Sequence, residues 1–205
     1  MNKRLIAMAC GLSLLQGCMP ANRTLIDIPK SNKVFTWGHL QIDMPKPGCK
    51  VVQTWNPPQV AFDFALNRPL PFGRVNLYSM EWTDRAGKAP LGENEINDFF
   101  KTYVPDYLAK NFGSGRYTLR YQAATQFQNR YPATYVVGTG QHAGGRQGTI
   151  YAIMVYMDHH WLMLYALNEQ QLPKTEPVGS SLDAIRSLPE FAPFETWALS
   201  FKYQG

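Results

Sequence analysis

Thr149-Ile150-Tyr151-Ala152-Ile153-Met154-Val155-Tyr156-Met157, a break at Asp158-His159-His160, then Trp161-Leu162-Met163-Leu164-Tyr165-Ala166-Leu167: this stretch decides the fold. Both runs are apolar at successive positions, not at alternate ones. Such strands have no face to give to water, so they belong at the centre of a sheet that is covered above and below. The short break between them predicts a hairpin. Immediately upstream, Ala133 to Gly140 reads as another long strand, joined to Thr149 by the glycine-rich turn His142-Ala143-Gly144-Gly145-Arg146-Gln147-Gly148. Tyr117 to Tyr121 has strand periodicity and predicts a strand that runs on through a bend to Tyr131.

Further outward the alternation is cleaner. His39 to Met44 places Leu40, Ile42 and Met44 on one face, and Val60 to Leu66 does the same with Val60, Phe62, Phe64 and Leu66. Arg74 to Trp82 sets Val75 and Leu77 against Tyr78, Met80 and Trp82. The period then changes. Ile96, Phe99, Phe100, Tyr103, Val104, Tyr107, Leu108 and Phe112 form one apolar stripe, which predicts a helix over 93–111. Glu93, Glu95 and Asp98 suit its positive end, Gly113 its close, and Pro105 implies a kink. A short helix is expected over 180–188, with Leu182, Ile185 and Leu188 inward, and a last strand over Phe194 to Tyr203. This order predicts an α+β fold, a mostly antiparallel sheet layered with helices. It resembles the PsbP-like αβα sandwich over roughly residues 34–190. That resemblance implies non-enzymatic binding and assembly roles.

Composition agrees with a single domain. The chain has 205 residues, 45% hydrophobic and 17% charged, with eleven Phe, eleven Tyr and five Trp. A chain of this size removes roughly 70% of its unfolded surface from water. Few charges and many aromatics exclude intrinsic disorder. The net charge of +5 is spread along the chain and makes no basic face, so no nucleic-acid partner is expected.

The N-terminus has a separate character. Asn2-Lys3-Arg4 precedes a mostly apolar run from Leu5 to Leu15, too short to span a bilayer, as in a secretory leader. It ends Leu15-Gln16-Gly17-Cys18, which resembles the lipobox of bacterial lipoproteins. The resemblance implies cleavage after Gly17, diacylglycerol on the Cys18 sulfur and acylation of the new amine. Several acyl chains hold a protein on a membrane where one alone holds it marginally. Met19 stands where inner-membrane retention calls for Asp, so the resemblance implies the periplasmic face of the outer membrane. The expected organisation is a leader over 1–17, lipidated Cys18 with a flexible tether over 18–33, and one globular domain over 34–205. Losing Lys3 and Arg4 with the leader lowers the net charge from +5 to +3. Cys49 is then the one remaining thiol, for which no disulfide is available.

Candidate chemistry is sparse. Gly138-Thr139-Gly140-Gln141-His142-Ala143 matches a dinucleotide fingerprint but leads into glycines and a strand, with no helix to hold a pyrophosphate, so no cofactor is expected. Asp158-His159-His160 is the densest set of metal-capable groups, with His39 or His142 as further ligands. Adjacent side chains on a strand diverge and do not easily share one metal, whereas a tight turn lets both His159 and His160 reach solvent. Trp37, Trp55, Trp82 and Trp161 are candidates to line a sugar or peptide groove, and the Pro57-Pro58 and Pro69-Leu70-Pro71 stretches to present a partner loop. The expectation is a lipid-anchored, non-catalytic module that binds, assembles or neutralises another envelope protein. The alternatives are a metal-dependent or hydrolytic enzyme using the histidine turn, and a small-ligand carrier.

Overall fold

A computed structural model describes residues 22–66, 77–85, 88–102, 118–141, 147–157, 160–168, 181–188 and 191–204. Among the described residues, ten strands precede the final helices: β1 (Asn22–Ile26), β2 (Val34–Trp37), β3 (Leu40–Asp43), β4 (Lys50–Asn56), β5 (Gln59–Ala65), β6 (Leu77–Thr83), β7 (Thr118–Phe127), β8 (Tyr131–Gln141), β9 (Gln147–Met157) and β10 (His160–Asn168). Helix α1 covers 93–102, between β6 and β7. Helices α2 (Leu182–Arg186) and α3 (Phe191–Leu199) lead to a two-residue strand, β11 (Lys202–Tyr203).

Eight strands make one sheet in the order β1-β4-β5-β6-β10-β9-β8-β7, every neighbour antiparallel. The doubly apolar strands β9 and β10 stand inside this sheet, where their composition requires them. A small sheet, β11-β3-β2, lies beside α2 and α3 on one face of the large one.

That inner face is continuous and aromatic. Phe62 and Phe64 of β5, Met80 of β6, Leu162 and Leu164 of β10 and Ile153 of β9 meet Phe35 and Ile42 of the small sheet. Phe191, Phe194 and Trp197 of α3 and Phe201 beyond it complete the layer. Ring centroids lie 4.9 Å apart for Phe35 and Phe62, 6.0 Å for Phe64 and Trp197, and 5.1 Å for Tyr135 and Phe191. Burying one such side chain contributes about 1.5–3 kcal/mol, so this layer dominates stability. A polar seam ties α2 to α3: Glu195 Oε1 accepts from Arg186 Nε and Nη2, at 3.1 and 2.9 Å, and from the Tyr135 hydroxyl at 3.0 Å. Burial and the Glu195 carboxylate push the Tyr135 phenol far above its usual range.

The outer face carries α1. Ile96 and Phe100 press onto Val136, Met154, Trp161 and Met163, and Phe99 stacks on Trp161 at 4.2 Å. The helix starts where Glu95 reaches back, its Oε2 accepting from the Gly92 N–H at 2.9 Å, a carboxylate that satisfies an otherwise open end. The helix predicted over 93–111 is therefore present over 93–102, and Pro105 and Gly113 lie outside the described residues.

Three expectations are corrected. The stretch taken as tether over 18–33 contributes β1: Asn22 to Ile26 pairs in register with Trp55 to Val51 of β4. An edge strand needs only one partner and can stay polar on its outer side, so NRTLI carries little alternation. The last strand expected over Phe194 to Tyr203 is helix α3 followed by β11. Pro193 sits in the helix's first turn, where no intrahelical N–H is lost. The strand running from Tyr117 to Tyr131 is instead β7, a tight turn at 128–130 and the start of β8.

Candidate functional site

Of the histidine turn, Asp158 and His159 lie outside the described residues, as does His142. His160 opens β10 and is a packing residue. Its ring stacks on Trp82 at 4.5 Å with 28° between the planes, and meets Tyr203 edge-on at 5.9 Å. Its Nδ1 stands 3.3 Å from Asp84 Oδ1. His39 is exposed in the turn before β3, and its carbonyl accepts from the Gln204 N–H at 3.0 Å. Among the described residues, no group of three His, Cys, Asp or Glu side chains converges to hold a metal ion.

The other singled-out residues also fall into place. Gly138 and Gly140 lie within β8, opposite Ile150 and Gly148, so the described part of the glycine fingerprint is strand, and the next described element is β9. Cys49 is buried, and burial pushes its thiol up, with backbone hydrogen bonds at Lys46 and at Cys49 itself only partly opposing this. Trp82 and Trp161 are core residues on opposite faces of the sheet. Trp37 and Trp55 stand together at the edge of the inner layer, 6.2 Å apart, with Trp55 43% exposed. Pro57 and Pro58 form the β4–β5 turn, joined by a cis bond, while 69–71 lie outside the described residues.

His160, Trp55, Trp82, Trp161 and the Pro57-Pro58 turn gather at one end of the sandwich, whereas Gly140 and Cys49 lie toward the other. In an antiparallel sheet of this order the start of β1, the β4–β5 turn, the end of β6, the β9–β10 turn and the β7–β8 turn share one edge. There the chain makes an unusual turn. Gln128 and Asn129 take positive φ, 52° and 55°, and Arg130 N–H closes on the Phe127 carbonyl at 3.1 Å. Positive φ costs a non-glycine residue about 1–2 kcal/mol. The Gln128 side chain offsets this by donating to the carbonyls of Phe201, at 2.6 Å, and Leu199, at 3.4 Å.

That bond draws the C-terminal segment against the hairpin and shapes a cleft of about 320 Å³, lined by Gln128, Arg130, Tyr131, Met157, Lys202, Tyr203 and Gln204. The Arg130 guanidinium lies over the Tyr131 ring, 4.6 Å from its centroid. Two cations, two phenol rings and two amides give a lining of donors and aromatic faces over an apolar floor. Such groups hold carboxylate-bearing or hydroxyl-rich side chains. None of them was singled out from the sequence as a site. The available signal was Asn129 between two aromatic-ended strands, because Asn tolerates the left-handed turn that aims Arg130.

A second polar cluster sits on the outer face beyond α1. The Ser79 hydroxyl donates to Asp63 Oδ1 at 2.7 Å, and Gln59 Nε2 donates to Glu81 Oε2 at 2.8 Å. The Tyr165 hydroxyl hydrogen-bonds to both Ser79 and Glu81. Strand register assembles the set: Asp63 faces Ser79, which in turn faces Tyr165. Burial raises the Asp63 carboxyl above its usual range, and the Ser79 bond and the Arg23 charge only partly oppose it. Burial, with Glu81 and Asp63 nearby, lifts the Tyr165 phenol well above its ordinary value. No carboxylate pair is recognisable in the sequence, yet register brings Asp63 and Glu81 near one tyrosine, both on the β6 flank of β10.

No family model matches the chain, and no curated protein matches it. Among solved structures it is similar to PA94 from Pseudomonas aeruginosa, a protein of unknown function, with 13% identity and a TM-score of 0.41, over 71% of this chain and 82% of that one.

Proposed function

We propose that this protein is a lipid-anchored envelope protein, held through acyl chains on Cys18 at the periplasmic face of the outer membrane. It acts there as a non-catalytic module that binds another envelope protein, in assembly or in immunity. The layered sheet with α1 on one face and α2, α3 and the small sheet on the other supports a PsbP-like αβα sandwich as its scaffold. The observation that carries the binding role is the cleft between the β7–β8 turn and the C-terminal strand. It presents Arg130, Lys202, Tyr131 and Tyr203, a set rich in Arg and Tyr as binding surfaces are.

The test has two parts. Mass spectrometry of the mature N-terminal peptide is expected to show acyl mass on Cys18, and Cys18→Ala to shift the protein from membrane to soluble fractions. A photocrosslinking residue at Lys202 in intact cells is expected to yield one discrete adduct, abolished by Arg130→Glu. Full membrane association of Cys18→Ala overturns the anchor. Adducts that survive Arg130→Glu unchanged overturn the cleft as the binding site.

A further inference from the structure

The strand that replaces the expected tether fixes how the domain meets the membrane. Only residues 19–21 separate Cys18 from Asn22, the first residue of β1. At about 3.5 Å per residue, the Cys18 backbone stays within roughly 14 Å of Asn22 however the intervening chain runs. Asn22 is paired with Trp55, on the last rungs of the sheet before the Pro57-Pro58 turn. Among the described residues, Trp55 is one of four large apolar side chains left exposed, at 43%, and its neighbour Trp37 is half-buried 6.2 Å away. Arg23, the next residue along β1, is exposed as well.

We infer that the corner formed by Asn22, Arg23, Trp37, Trp55 and the Pro57-Pro58 turn rests on the bilayer, with Trp55 in the headgroup region and Arg23 against phosphate. This orientation rests on acylation of Cys18. Three arguments converge on a lipid surface as the occupant. The short connection places this corner, and not the opposite end of the strands, beside the acyl chains. Tryptophan, with an apolar ring and a polar N–H, prefers the membrane–water interface. A basic residue close to anionic headgroups gains about 1 kcal/mol. Each contact is weak alone, but a three-residue link holds the corner at high local lipid concentration, so weak contacts suffice.

The acylated full-length protein, reconstituted in phosphatidylethanolamine–phosphatidylglycerol vesicles with or without bromine on the upper acyl carbons, tests this. Trp82, Trp161 and Trp197 are buried in the core and report the background. Brominated lipid is expected to quench part of the tryptophan emission, and Trp55→Phe to remove at least half of that quenching. Adding Leu25→Trp to Trp55→Phe places a fluorophore three residues farther along β1, at a 62% exposed site, and is expected to restore less quenching than Trp55 gives. Equal emission in both vesicle types, with acyl mass on Cys18, overturns the orientation and leaves the anchor standing. Quenching in Trp55→Phe equal to that of the unaltered protein overturns it too, provided the far-ultraviolet circular dichroism matches. No acyl mass on Cys18 overturns the anchor, and the orientation with it.

Discussion

The two faces of the eight-stranded sheet solve burial in different ways. The inner face is apolar from β4 to β8 and is covered by two helices, a small sheet and the Phe201 segment. The outer face is divided. Across β8, β9 and β10 it is as dry as the inner one, under helix α1, whereas across β5 and β6 it carries Gln59, Asp63, Ser79 and Glu81. Tyr165 stands on the boundary, its ring in the apolar cluster and its hydroxyl in the polar one. One sheet thus has a continuous core layer and a layer that turns polar halfway. Stability should be concentrated on the inner face, and ionisation should matter on the outer one.

The largest effect is expected at Phe62. It is fully buried, with Phe35 at 4.9 Å and Trp37 at 5.2 Å, and its neighbours are aromatic rings that cannot easily collapse into a void. Phe62→Ala should cost about 3–5 kcal/mol in urea unfolding, at an unchanged slope. On the outer face, Ile96→Ala should cost about 2 kcal/mol, the low end for such a truncation, because a single surface helix can shift inward. Its mark should be local, with faster amide exchange in 93–102 and unchanged protection in β9 and β10. A loss at Ile96 equal to that at Phe62, or exchange that rises uniformly, would erase the distinction between the faces.

How much of this was legible in the sequence follows the same division. Inner-face strands announce themselves: Val60, Phe62 and Phe64 alternate, and β9 and β10 are apolar throughout because both their faces are covered. The stripe Ile96, Phe99 and Phe100 gave α1 for the same reason. Helix α3 was misread because FAPFETWAL is dense in aromatics, although Phe191, Phe194, Trp197, Ala198 and Phe201 recur at helical intervals. Edge strand β1 was illegible, since its order comes from pairing with β4 and owes little to its own side chains. The cleft was illegible for a stronger reason. Gln128 and the carbonyl of Phe201, which shape it, are brought together across 73 residues by tertiary folding alone.

The smallest effect, and the one with opposite sign, belongs to the polar half of the outer face. The folded protein raises the Asp63 carboxyl above its usual range, so it binds a proton more tightly than the unfolded chain does. The stabilisation tied to that proton is fully present below the unfolded carboxyl range and is lost as pH rises through the raised folded value. Once Asp63 ionises, the native state holds a half-buried charge at a cost. Asp63→Asn imitates the protonated form in shape and keeps an oxygen to accept from the Ser79 hydroxyl, which now stands 2.7 Å from Oδ1. The variant should match the unaltered protein in acid and exceed it at neutral pH, by a fraction of the loss expected for Ile96→Ala. Urea midpoints at the two pH values read this directly. A variant weaker at neutral pH would show that the attraction of Arg23 and the Ser79 bond for the carboxylate outweighs burial. The outer face would then be held together by its charge.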